Sequence, residues 1–144
     1  MMTIKDYSLR GVTYLEMLFS LLILSTLLLL ASPLSENDYR REKEALLRQN
    51  LMTIREAIDR YWREQDRKNP RKPYNSKYPH NLQELVAKRY LRKVPIDPMT
   101  GKSDWRVISS TDKPDALISN RENLFDVRSR SDKIGSNGIP YNKW

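Results

Sequence analysis

Hydrophobic positions change their rhythm twice along this chain. From Val12 to Ser32 they form an almost unbroken apolar run, VTYLEMLFSLLILSTLLLLAS, in which Glu16 is the one charge. A run of about 20 residues at 1.5 Å rise spans roughly 30 Å, the thickness of a hydrocarbon core, so the pattern predicts a membrane-spanning helix over 12–35. Beyond Pro33 the helix is expected to resume, because Leu47, Leu51, Ile54, Ile58 and Tyr61 recur at three- and four-residue spacing with Arg, Glu and Asp between them. That period predicts an amphipathic helix over 36–66, ending near Gln65, whose apolar stripe packs on the chain's own sheet. Residues 66–80, DRKNPRKPYNSKYPH, lose the period to prolines and polar groups and read as a connecting loop. Asn81 then precedes Leu82-Gln83-Glu84 as an N-cap with an acid three residues on. Leu82, Leu85, Val86 and Tyr90 mark a second, short helix. Met99–Lys102 reads as a turn, and Trp105–Ile108 and Leu124–Val127 read as strands. The order predicts an α+β protein: a long N-terminal helix packed on a head, 67–144, with a short helix and a small antiparallel sheet.

Composition narrows what the head can be. With 144 residues there is room for one small domain beside the helix, and hydrophobic residues make up 39%, many of them in the N-terminal run. The head is therefore expected to be lightly cored, with Tyr and Trp supplying much of the packing. Cysteine is absent, which excludes disulfides and thiolate metal sites. The net charge of +8 raises nucleic acid as a partner. Against it, Arg40, Arg41, Lys43 and Arg48 alternate with Glu36, Asp38, Glu42 and Glu44, the pattern of a solvated, ion-paired helix face. Arg67-Lys68-Asn69-Pro70-Arg71-Lys72 is the one clustered patch, and nucleic acid is not expected as a principal partner. Catalysis is not expected either. His80 is the single histidine, in a Pro-flanked loop without a nucleophile or orienting acid, and there is no Gly-rich phosphate loop.

Glu16 carries most of the functional information. A carboxylate in lipid costs several kcal/mol, roughly 2.5–3.5 on insertion scales, and is rarely left without a partner. A cleavable secretory signal fits poorly, because the apolar run is too long, contains this acid and ends in Leu30-Ala31-Ser32-Pro33. A plain single-pass anchor with Glu16 snorkelling from the helix end explains insertion but not the Arg10-Gly11 boundary.

Gly11-Val12-Thr13-Tyr14-Leu15-Glu16 resembles the processing motif of type IV pilins and type II secretion pseudopilins. The resemblance implies a leader, 1–11, removed by a prepilin peptidase between Gly11 and Val12, and N-methylation of Val12. Glu16 would become the fifth mature residue, and Pro33 would match the family's kinking proline. Val12 stands where Phe is commonest and Tyr14 where Leu is common. In a filament, Glu16 of one subunit could neutralise the Val12 ammonium of a neighbour and so select the axial register.

Tyr78-Pro79, the helix from Asn81, Tyr90-Leu91, Val94-Pro95, Asp97-Pro98, Phe125–Ser129 and Asn142-Lys143-Trp144 follow in the order of the major pseudopilin of type II secretion, whose Asp-Pro-Trp-Gly is here altered by Met99-Thr100. That likeness implies a structural filament subunit lodged in the inner membrane, leader cytoplasmic and head periplasmic. Basic residues flank the apolar run on both sides, so this orientation rests on the resemblance. Its implied partners are further copies of itself, other pseudopilins, the prepilin peptidase, the inner-membrane assembly platform and membrane lipid. The family's C-terminal loop often binds calcium, for which Asp126, Ser129 and Asp132 are weak candidates. Too few carboxylates remain for six to eight oxygen ligands, so no cofactor is expected and a loop closed by Tyr141 and Trp144 is. The alternative reading is a minor type IV pilin that grips DNA or a surface through its head.

Overall fold

The computed structural model describes residues 9–113 and 118–144, with the side chains of 9–12 and 30–36 left out of the description. The chain divides into two units, Met1–Arg40 and Arg41–Trp144. Helix α1, Leu9–Lys68, supplies residues to both. Its sequence is rich in Leu, Arg and Glu, all strong helix formers.

In the second unit the helix buries the stripe that the spacing predicts. Leu47, Leu51, Ile54, Ala57, Ile58 and Tyr61 are all buried. They meet Leu82 and Leu85 of α2 (Leu82–Ala87), Leu91, Trp105, Leu124, Val127 and Tyr141 in one hydrophobic core. Burying a large aliphatic side chain contributes about 1.5–3 kcal/mol each, so this seam is the main source of the unit's stability. Beyond it, Tyr78 packs edge-on against Phe125 with ring centroids 5.2 Å apart, and Trp62 packs on Tyr74 at 5.3 Å. The expectation that aromatic residues carry much of the head's packing is met.

Helix α1 continues to Lys68, three residues past the predicted end. The loop after it holds a short 3₁₀ turn, Tyr74–Lys77. Asn81 caps α2 as its sequence predicts: its side chain accepts from the Glu84 N–H at 2.9 Å, and Glu84 reaches back to the His80 N–H at 2.7 Å. At the other end the Tyr90 N–H bonds Leu85 O (2.8 Å) and the Arg89 N–H bonds Val86 O (3.0 Å), a Schellman closure with Arg89 at φ 64°. Glycine is the usual residue there, because a Cβ is crowded in the left-handed region.

The sheet consists of two short antiparallel strands, β1 (Arg106–Ile108) and β2 (Asp126–Arg128), with Val107 opposite Val127. Both begin later than the hydrophobic runs suggest. Leu124 is fully buried, but its N–H goes to Pro79 O at 2.7 Å instead of to β1, so it is core without being strand. Trp105 likewise sits in the core, its indole N–H bonded to Pro95 O at 2.9 Å. The predicted turn closes where Asp97 bridges Lys102, with Gly101 at φ 72°. A final 3₁₀ turn, Tyr141–Lys143, ends the chain against β2.

Candidate functional site

Two places in the chain depart from what a self-contained small domain needs. The first is the apolar helix of the first unit. Between Tyr14 and Leu29 twelve large hydrophobic side chains are exposed, among them Phe19 at 57%, Leu28 at 72% and Leu29 at 76%. They occupy every side of the helix. A helix that is apolar all round is stable only where something covers it.

The polar residues in this stretch are closed on the helix itself. Ser20 donates to Glu16 O (2.9 Å), Ser25 to Leu21 O (2.7 Å) and Thr26 to Ile23 O (2.8 Å), so three hydroxyl groups need no outside acceptor. The carboxylate of Glu16 stands exposed among apolar neighbours. Against the expectation of a transmembrane segment over 12–35, no helix among the described residues is long and apolar enough to cross a membrane. The described apolar stretch, residues 13–29, is 17 residues long, at the short end of what a hydrocarbon core requires. Gly11, Val12 and Pro33 lie outside the residues whose side chains are described.

The second place is the C-terminal loop, and its closure rests on a residue expected elsewhere. Glu44, read from the sequence as part of a solvated ion-paired face, is 2% exposed. It accepts from the Ser136 N–H at 2.7 Å, from the Ser136 hydroxyl and from the Tyr141 hydroxyl at 2.9 Å. Arg48 adds an ion-pair contact at 3.9 Å and stacks over the Trp144 ring at 4.5 Å. Tyr141 and Trp144 pack edge-on, 5.0 Å apart, as the predicted closure requires. Gly135 lies so close beneath them that a Cβ would meet Trp144 at 2.6 Å.

Arg55 is the second clamp on this segment. It donates to the Asp126 carboxylate at 2.7 Å, to Val127 O at 3.2 Å and to Trp144 O at 3.1 Å. The three weak calcium candidates therefore go separate ways. Asp126 holds Arg55, Ser129 is buried and donates to Asp97 at 2.6 Å, and Asp132 is exposed. Among the described residues no three His, Asp or Glu side chains are grouped to hold a metal ion.

Glu44 had a signal in the sequence. It stands three residues before Leu47 and so extends the 47, 51, 54, 58, 61 stripe by one step. Charge alternation hid it, because an ion-paired face and a buried acceptor look alike until the partner is known. The predicted surface histidine, His80, is indeed exposed, and its backbone N–H rather than its ring is engaged.

Around α2 the electrostatics are those of a satisfied network. Burial works against the charge on Glu84, but hydrogen bonds from Lys88, the His80 N–H and the Tyr61 hydroxyl hold its pKa down at about 2. Tyr90, desolvated and bonded to Glu64, is pushed up to about 12. These shifts arise from hydrogen-bonded pairs that join α1 to α2 and its flanks. Comparison with models of known protein families, with curated proteins and with solved structures finds no match for the chain.

Proposed function

We propose that the chain is a structural subunit of a type II secretion pseudopilus, or of a related type IV pilus-like filament, working by polymerisation through its N-terminal helix and not by bond chemistry. The observation that supports this reading is the apolar surface of residues 13–29, exposed on every side and interrupted by one carboxylate. Lipid covers such a helix before assembly and neighbouring subunits cover it afterwards. The sequence run continues through Leu30-Ala31-Ser32, which brings it to the length of a span. Back-bonded hydroxyls suit both surroundings, since neither supplies water to an open polar group.

In this reading the prepilin peptidase removes 1–11, and the methylated Val12 amine, still cationic, meets Glu16 of the next subunit. The subunit resides in the inner membrane with its leader cytoplasmic and its head periplasmic, and Pro33 lets the helix bend between neighbours. A protein secreted through such a machine would be moved by growth of the filament.

The test is direct. Co-expressed with a prepilin peptidase, the mature chain should begin at N-methylated Val12 by mass spectrometry, and Glu16→Ala should be cleaved normally yet yield at least about tenfold fewer cross-linked multimers, the equivalent of about 1.4 kcal/mol per contact. An intact leader, or undiminished multimers from Glu16→Ala, would refute it.

A further inference from the structure

The C-terminal turn that Glu44 anchors through Ser136 carries the one Asn-Gly pair of the sequence, Asn137-Gly138. The Gly135 N–H bonds Ile139 O at 3.0 Å and the Gly138 N–H bonds Gly135 O at 3.0 Å, with Gly138 at φ 76°. Asn137 and Gly138 are both exposed. Among the described residues nothing lies within 4 Å of the place a Gly138 Cβ would take, so no side chain keeps the Gly138 nitrogen from a neighbouring carbonyl. The Asn137 side chain is already turned back onto the main chain. Its Oδ1 accepts from the Ile139 N–H at 3.0 Å, which places a fixed donor on the oxygen where negative charge gathers when a nucleophile adds to Cγ.

Other asparagines lack this combination. Asn69 precedes Pro70, which has no N–H to react. Asn81 caps α2 and Asn123 is buried. Asn142 precedes a lysine in the 3₁₀ turn Tyr141–Lys143, where the Lys143 N–H bonds Pro140 O at 2.9 Å.

We infer that Asn137 is a self-modifying site, at which the chain deamidates without an enzyme. The Gly138 nitrogen loses its proton and bonds Asn137 Cγ, the Cγ–Nδ2 bond breaks, and ammonia leaves with the proton, giving a five-membered succinimide. Water then opens the ring at Cγ to give aspartate, or at the main-chain carbonyl to give isoaspartate. One water is consumed and one ammonia released, and a neutral amide becomes a carboxylate. The new charge enters a groove of about 510 Å³ in the second unit, where Asn137 stands with Arg48, Arg55, Lys143, Glu56 and Asp59. Isoaspartate also lengthens the main chain of the turn by a methylene. Gly135 leaves no slack for it, since a Cβ there would meet Trp144 at 2.6 Å and Tyr141 at 3.1 Å. The inference stands apart from the filament reading, which turns on Glu16.

Ageing the full-length chain in non-ionic detergent and warm neutral buffer tests it, because tryptic peptide 134–143 holds Asn137 and Asn142 together. Fragmentation mass spectrometry should find the amide-to-acid change at Asn137 at least about tenfold faster than at Asn142, and a smaller ratio would overturn the inference. Asn137→Gln should remove the fast site, and the rate should rise as the buffer is made mildly alkaline, since attack needs the Gly138 nitrogen stripped of its proton. The attack breaks one exposed turn hydrogen bond, so the folded chain should deamidate within about tenfold of the guanidinium-unfolded chain; stronger protection by the fold would overturn the inference too. Labelling by protein isoaspartyl methyltransferase identifies the isoaspartate form. Separated by ion exchange, that form should unfold at lower urea than Asn137→Asp, which carries the charge without the extra methylene, and equal midpoints would refute the strain on the turn. Leader processing and multimer formation should not change with Asn137→Gln, so failure here is separable from failure of the filament reading.

Discussion

Replacing Glu44 is the sharpest test of how the C-terminal loop is held. Its carboxylate accepts three hydrogen bonds, from the Ser136 N–H, the Ser136 hydroxyl and the Tyr141 hydroxyl, and Tyr141 is 3% exposed. Hydrogen bonds to a charged group contribute about 1.5–3 kcal/mol each, and the desolvation of the carboxylate offsets part of that sum. Glu44→Ala leaves a buried tyrosine hydroxyl without its acceptor and opens a void beside Leu47, so a loss of about 3–5 kcal/mol is expected. Against a typical total of about 5–15 kcal/mol this is a large fraction. Glu44→Gln keeps the volume and one acceptor and should lose about 1–2 kcal/mol. Urea unfolding of the full-length chain in detergent at neutral pH, followed by near-ultraviolet circular dichroism, reads both values. A double-mutant cycle with Tyr141→Phe should give a coupling of about 1–2 kcal/mol. If Glu44→Ala loses less than about 1 kcal/mol and is additive with Tyr141→Phe, the carboxylate is not what closes the loop.

Two further outcomes follow from α2. Arg89→Gly relieves the left-handed strain, offset by the greater freedom of glycine in the unfolded chain, and should stabilise by about 0.5–1 kcal/mol in the same urea assay; destabilisation would contradict the Schellman geometry. Glu84 has its pKa depressed from an ordinary 4.5 to about 2 in the folded chain, so its contribution is present above pH 4.5 and is lost as pH falls towards 2. After allowance for solvent screening the loss is about 1 kcal/mol, and thermal melting of wild type should fall through that window more steeply than melting of Glu84→Gln. Parallel curves would remove Glu84 from the account.

Local patterns were legible because their causes are local. The buried stripe of α1 follows from a 3.6-residue period, and the Asn81 cap follows from a side-chain oxygen placed three residues before the Glu84 N–H. The apolar run and its lone Glu16 are likewise a matter of composition along a dozen or so neighbours, and the structure adds that the hydroxyls there are satisfied on the helix. Strand limits were less legible, since Leu124 carries a strand's hydrophobicity while its N–H bonds Pro79.

The sequence by itself determined where the two α-helices lie, which face of α1 is apolar and where a charge interrupts the N-terminal run, because periodicity and capping act within a few residues; the 3₁₀ turns Tyr74–Lys77 and Tyr141–Lys143 were not legible in it. Tertiary structure alone decided the fate of the charges. Glu44 meets Ser136 across 92 positions and Arg55 meets Asp126 across 71, and only that convergence turns one carboxylate into a buried acceptor and the other into a guanidinium's partner. Desolvation and pairing depend on what lies opposite a side chain in space, a quantity that no window along the chain contains.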